Sequence, residues 1–458
     1  VPNSGNITVK RNSAPIVRLD HTLWSSPVAA QNLFSFSPAT LTNRFYNYNE
    51  GTNAYDNTAL SVGSIFTPGV GFAIRAPNTW SSTTPATLTY EGVFTGVPNT
   101  GTISFSALQA ASGYNLVGNP YPSAIDAAAF VTANTNIGGT LYFYAHTLTM
   151  DSQGTFPTGT NYASWNSGSG GVAATLGTSG VPANTPNGII EVGQGFFVKA
   201  TTAGPVNFTN AMRVANTANQ FFKTSATKKT ATLERHRLWL DLTNDTGTEF
   251  NQILVAYAQG ATMGVDRDYD GLAFGNTGSF LSSKIEGADY AIQGRALPFS
   301  TDDIVPLGFN AAIDGNFTIS LSAMDGLFSG SQEVFLSDTA TGATQDLKVA
   351  PYTFSATTGV DNTRFKLVYT NKTLGLSNNV FDKTGVTVFK KEGVFHINTN
   401  GIIMKDVFVF DIQGRLIYKQ SKINSDTTTL SGLKAPNGVL LMKIVSDKNE
   451  TVTIKAIN

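Results

Sequence analysis

Val407-Phe408-Val409-Phe410-Asp411-Ile412-Gln413-Gly414-Arg415-Leu416-Ile417 reads as two short strands joined by a tight turn. The connection Asp411-Ile412-Gln413-Gly414-Arg415 reverses the chain, with Gly414 free to take the positive φ that a hairpin demands. Pro436-Asn437-Gly438 forms a second turn, before the apolar strand Val439-Leu440-Leu441-Met442-Lys443-Ile444. Outward from these turns, strands are expected at 386–390, 394–398, 404–411, 415–420, 427–430, 439–446 and 451–456. About seven short strands in one small module predict an Ig-like sandwich.

The same period-two alternation runs upstream. Phe317-Thr318-Ile319-Ser320-Leu321 and Leu238-Trp239-Leu240-Asp241-Leu242 read as strands bounded by Gly, Asn, Asp and Pro. The fold class is therefore expected to be all-β: tandem β-sandwich domains ending in the small seven-stranded sandwich. Short helices are expected only at 123–132, where Ser123 would cap, and around 209–218.

Composition narrows the function classes. The 458 residues suggest about three domains. Lys and Arg total 30 against 31 Asp and Glu, a balance that gives no electrostatic case for nucleic acid or an anionic membrane. The stretch 1–222 carries only seven basic and seven acidic residues, and Thr, Ser, Asn and Gly fill its surface instead, as on extracellular β-proteins. The absence of Cys rules out a disulfide scaffold and Cys-ligated zinc but not export. No apolar run approaches the ~18 residues of a membrane helix. The start at Val1, with neither initiator Met nor leader pattern, reads as a piece of something longer.

Two stretches read as boundaries: the polar, basic 223–232 and the Asn-, Gly- and Ser-containing 370–382. They predict a β-rich domain at 1–222, a β-sandwich domain at 223–369, a linker at 370–380 and a C-terminal domain at 381–458. Eleven cations against seven acids make 381–458 mildly basic.

The hairpin 407–417 resembles the "V-x-V-x-D-x-x-G-R-x-V/I" hairpin of type IX secretion C-terminal domains. Leu430…Leu433…Asn437-Gly438-Val439-Leu440-Leu441-Met442-Lys443-Ile444 resembles the strand that follows it in that family. The closing Thr451-Val452-Thr453-Ile454-Lys455 is similar to the family's terminal strand. The family's proline-asparagine-proline opening is replaced by Val386-Thr387-Val388-Phe389-Lys390-Lys391, and its Tyr after the turn glycine by Val439-Leu440. The resemblance implies that 381–458 is an export address, carried by Asp411, Gly414, Arg415, Gly438, Lys443 and Lys455. Its implied partners are the type IX translocon, an outer-membrane shuttle barrel protein, and a surface peptidase and attachment machinery. The competing reading is an ordinary Ig-like stabilising module whose glycines merely close hairpins. Tyr114–Asp126, including Gly118-Asn119-Pro120-Tyr121-Pro122, resembles a segment of large secreted proteins with such sorting domains.

Other motifs bear on chemistry. Asp266, Asp268 and Asp270, followed by Gly271, match the start of a calcium loop. Its twelfth position is Thr277 rather than Glu. The alternative is a solvated loop with Arg267 offsetting the acids. No other cofactor is implied. His21, His146, His236 and His396 are scattered and lack metal-ligand spacing. The run 166–171 (NSGSGG) reads as a flexible loop, and no nucleophile elbow or phosphate-cradling motif is present. Tyr121 reads either as a sugar-stacking ring or as one packed in its turn.

The expectation is thus a non-enzymatic, secreted or cell-surface adhesin-like protein exported by the type IX system, with a link to gliding motility as one role. Two rivals stand. One is a pair of carbohydrate-binding modules presenting Trp24, Trp80, Trp165 and exposed Tyr residues to a cell-surface glycan. The other is the accessory tail of a secreted hydrolase.

Overall fold

The computed structural model describes residues 3–82, 88–145, 162–174, 185–215, 233–370, 381–383, 385–391, 393–399, 401–435 and 438–458. The chain is all-β and divides into two compact units, Val1–Asn371 and Lys372–Asn458. The second expected boundary thus separates units. The first does not: the parts on either side of 223–232 belong to one unit, although 223–232 itself lies outside the described residues.

In the first part of that unit a five-stranded sheet runs in the order Gly170–Val172, Tyr162–Asn166, Ile137–Tyr144, Gly195–Ala200, Tyr114–Gly118. Its strands are apolar at consecutive positions because both faces are covered. Leu141, Phe143, Phe196 and Val198 enter one core, while Tyr142, Tyr144 and Phe197 enter another. A third core gathers Trp24, Phe36, Phe45, Phe66, Phe72 and Phe94.

Asn119 stitches the Asn-Pro-Tyr-Pro turn into this core. Its Nδ2 donates to the carbonyls of Ser123, Ile190 and Glu191, and its Oδ1 accepts the Tyr121 N–H. Tyr121 is fully buried and donates its hydroxyl to the Gly101 carbonyl at 2.6 Å, so its ring is packed in the turn and unavailable to a sugar.

The helix expected at 123–132 is shorter, Ala127–Ala133, and its cap is Asp126, which accepts from Ala128 N and Ala129 N. Ser123 is engaged elsewhere, by Arg213 Nε at 2.8 Å. Near 209–218 the helix shrinks to the 3₁₀ turn Asn210–Met212 before the strand Arg213–Val214; residues from 216 lie outside the described ones. The run 166–171 is a buried hairpin, closed by Asn166 Oδ1 accepting from Ser169 N at 2.8 Å. The glycines there serve close packing rather than flexibility.

The second part of the unit is an eleven-stranded sheet curled around one core. Leu238, Leu240 and Leu242 point inward from Arg235–Asn244, as the alternation predicts. Strands near opposite ends of the sheet order are tied by a buried charge. The Asp338 carboxylate accepts from Arg364 Nε and Nη2 and from the Tyr352 hydroxyl. Arg364 also lies over the Phe354 and Phe365 rings.

The segment 266–274 fuses the two parts. Arg267 donates to the carbonyls of Val131 and Asn134 near the end of the helix and to that of Ile137. Thr140 Oγ1 donates to Asp270 O, Ser169 Oγ to Tyr269 O, and Gly168 N to Asp268 O. Phe274 inserts among Tyr114, Tyr142 and Tyr162, with ring centroids at 4.2, 4.8 and 4.7 Å. Each such aromatic pair is worth about 0.5–1.5 kcal/mol beyond area burial. Two glycines permit the approach: a Cβ on Gly139 would stand 2.1 Å from Arg267 O, and one on Gly168 2.3 Å from the Tyr269 ring.

The second unit is a seven-stranded sandwich. One sheet orders Thr387–Lys391, Val394–Asn398, Thr427–Thr429; the other orders Leu416–Ser425, Met404–Phe410, Val439–Ser446, Thr451–Ile457. Phe395 and Ile397 of the first sheet meet Val407, Val409, Leu440, Met442, Ile444 and Val452 of the second in a single core. Six strands fall within a residue of their expected bounds, and the seventh, Leu416–Ser425, runs on past the expected end at 420.

Candidate docking face of the C-terminal unit

The hairpin turn after Phe410 is held by one side chain. Asp411 Oδ1 accepts from Gln413 N at 3.0 Å and Arg415 N at 2.9 Å, and Oδ2 accepts from Arg415 Nε at 2.7 Å. Backbone bonds from Asp411 N to Arg415 O and from Gly414 N to Asp411 O close the loop. The Arg415 N–H, then its guanidinium, hold the Asp411 carboxyl below the usual carboxylate range. Gly414 has φ +79°, as the sequence predicts. Asp411, Gly414 and Arg415 therefore form one structural device, and the Arg415 guanidinium stays largely exposed.

Lys443 and Lys455 lie elsewhere, on the outer face of the four-stranded sheet. Cross-strand register lines up Lys419, Phe408, Lys443 and Thr453 in one row, and Leu416, Phe410, Leu441 and Lys455 in the next. The Lys419 ammonium sits 5.1 Å from the Phe408 ring centre, a cation–π contact. Gly438, at φ +149°, begins the strand Val439–Ser446 at the same end of the sheet as the Asp411 turn. That end is apolar: Ile412, Leu416 and Ile457 are 75%, 52% and 73% exposed.

The sequence reading missed Phe408, Phe410, Leu416, Lys419, Leu441 and Ile457 as members of this face. The signal was present in Val407-Phe408-Val409-Phe410. Val407 and Val409 go to the core, so the alternate phenylalanines must crowd the outer face. A strand apolar on both faces, with one face against a core, leaves a surface suited to a partner.

The three acids of the expected calcium loop do not form a metal cage. Asp266 Oδ2 accepts from Thr262 N, Asp268 Oδ1 is paired with Arg267 at 2.7 Å, and Asp270 accepts from Asp266 N and Gly294 N. Among the described residues no group of three or more His, Cys, Asp or Glu is arranged to hold a metal ion. The segment acts instead as the junction described above. Burial raises the Asp270 carboxyl to about 6 against the pull of its two N–H donors.

The described histidines are packed side chains. His21 stacks on Tyr144 at 4.3 Å, with burial lowering its pKa to about 3. His236 Nδ1 accepts from Leu327 N, and His396 stacks on Phe389. His146 lies outside the described residues. Trp24 and Trp165 are buried, so the stacking platform that they and Trp80 would have formed is not assembled.

Residues 1–369 match the family described as Domain of unknown function (DUF8693), and residues 374–458 match Domain of unknown function (DUF8694). The two matches divide where the two compact units divide. No curated protein matches the chain.

Proposed function

The chain belongs to the DUF8693 family, with a DUF8694 domain following it, and on that premise we propose that it is a non-enzymatic, adhesin-like surface protein whose second unit is its export address. In this reading the address is read by the type IX translocon and its outer-membrane shuttle barrel. A surface peptidase and attachment machinery then complete delivery to the cell surface. The observation that carries the reading is the second unit itself. It is a self-contained seven-stranded sandwich in which Asp411 clamps the Gly414–Arg415 turn and the closing strand Thr451–Ile457 lies at a sheet edge. Recognition of a folded domain needs a rigid feature and an exposed one, and this unit supplies both. The mechanism is docking by surface complementarity, with the basic excess of the unit speeding encounter more than setting affinity.

The large first unit is the cargo in this account. Its charge-poor, Thr- and Asn-rich surface over 1–222 suits contact with an extracellular substratum, and a contribution to gliding motility is one form that role takes.

Deleting residues 451–458 from the full chain tests the reading in a type IX-competent host. Export should be abolished while the first unit stays folded, because its cores are independent of the second unit. Normal export of the truncated chain would remove the terminal strand from the recognition surface.

A further inference from the structure

The four-stranded sheet of the second unit has two edges that differ. The edge strand Leu416–Ser425 is irregular: its pairing shifts register twice, and Lys422 and Asn424 take positive φ of 56° and 51°. Such distortions blunt an edge against pairing with another chain. The opposite edge, Thr451–Ile457, pairs with its neighbour over seven consecutive residues without a shift, contains no Pro, and has no non-Gly residue at positive φ. No described strand pairs with its far side.

The ladder fixes which backbone groups face outward. Ser446 N donates to Glu450 O at 3.0 Å and Asn458 N to Gly438 O at 2.9 Å, so the hydrogen-bonded pairs fall on the even-numbered residues. Val452, Ile454 and Ala456 therefore spend their N–H and C=O groups on the neighbouring strand. Thr451, Thr453, Lys455 and Ile457 direct theirs to the open edge, and their side chains stand on the outer face. On the inner face Ile454 and Ala456 are only partly covered, at the rim of the core.

We infer that Thr451–Ile457 accepts an added antiparallel strand from another protein, an extended acidic segment that alternates carboxylates with apolar side chains. An acid opposite Lys455 would meet that ammonium and extend the row containing Leu441. The apolar alternates would cover Ile454 and Ala456, and the strand's backbone would satisfy the outward groups of Thr453 and Lys455. A second copy of this chain fits less well. It brings its own Lys455 to the seam, and 381–458 already carries eleven cations against seven acids. The inference deepens the docking reading above and rests on it for the partner's being another protein.

The experiment titrates the full chain with a blocked heptapeptide alternating glutamate and valine, using an alternating lysine–valine peptide as control. Saturable binding of the acidic peptide alone is expected, with slowed amide exchange at Thr453 and Lys455. Lys455→Glu should weaken it about tenfold, the scale of one lost charge-assisted contact. Thr453→Pro removes an outward N–H that the ladder does not use, and should abolish binding while the thermal midpoint holds. If that variant unfolds the unit, Lys455→Glu decides alone. Binding of neither peptide, equal binding of both, indifference to Lys455→Glu, or a dimer formed through this edge would overturn the inference. Export is read on the same variants. If Lys455→Glu and Thr453→Pro are exported normally while the chain lacking 451–458 is not, docking stands and strand addition falls.

Discussion

The Asp411 carboxylate binds Arg415 twice: one oxygen takes the Arg415 N–H at 2.9 Å and the other takes its Nε at 2.7 Å. The backbone bond supports the turn and the side-chain bond aims the exposed guanidinium. Asp411→Ala should therefore lower the thermal midpoint of the second unit. Arg415→Ala should leave that midpoint nearly unchanged, since it keeps the N–H. Thermal unfolding followed by near-UV circular dichroism checks the pair of outcomes; equal losses in both variants would show that the guanidinium contact, not the turn, is what matters.

Gly414 sits at φ +79° with no atom within 4 Å of where a Cβ would be. Substitution there is a matter of backbone conformation and not of clash. Gly414→Val should cost roughly 1–3 kcal/mol. Gly414→Asn should cost clearly less, because Asn visits the left-handed region more readily. Denaturant melts of both variants measure this, and equal losses would point to a steric cause.

The junction within the first unit predicts coupled unfolding. Gly139→Ala forces a Cβ against the Arg267 carbonyl and should destabilise the unit by about 1–3 kcal/mol. Arg267→Ala removes the three bonds that its guanidinium gives to the carbonyls of Val131, Asn134 and Ile137, the first two of which keep a backbone N–H, and should cost a similar amount. In either variant, calorimetry should resolve two transitions where the parent's first unit gives one. Two transitions in the parent would mean that the halves are independent domains.

Two buried carboxyls give the first unit a pH signature. Burial raises both Asp20 and Asp270 to about 6, against about 4 for an unfolded aspartate. The folded state binds their protons more tightly, so their contribution to stability rises as pH falls through about 6 and levels off below about 4. Thermal midpoints at intervals across that window should rise toward acid, and Asp270→Asn should flatten part of the rise. A steady fall over the same window would contradict it.

The sequence reading located the second unit's seven strands and its turn because alternation and turn chemistry are local. Composition changes at 223–232, while the contacts that join the parts on either side into one compact unit come from Arg267, Tyr269 and Phe274. Those residues are more than a hundred positions from the helix end and the tyrosines they meet, beyond the reach of any period. The same three alternating acids suggested calcium, since spacing shows the carboxylates but not the backbone donors at Thr262 and Gly294 that engage them. The outer-face phenylalanines were visible in the string Val-Phe-Val-Phe, but only the core side of that strand was read.

The most direct test of the central claim is export of a passenger by the second unit alone. Residues 381–458 are fused to a periplasmic reporter in a type IX-competent host, beside an established sorting domain on the same reporter. The account predicts reporter activity outside the cell, lost when residues 451–458 are removed from the fusion. A reporter that stays in the periplasm while the established domain carries it out would contradict the account.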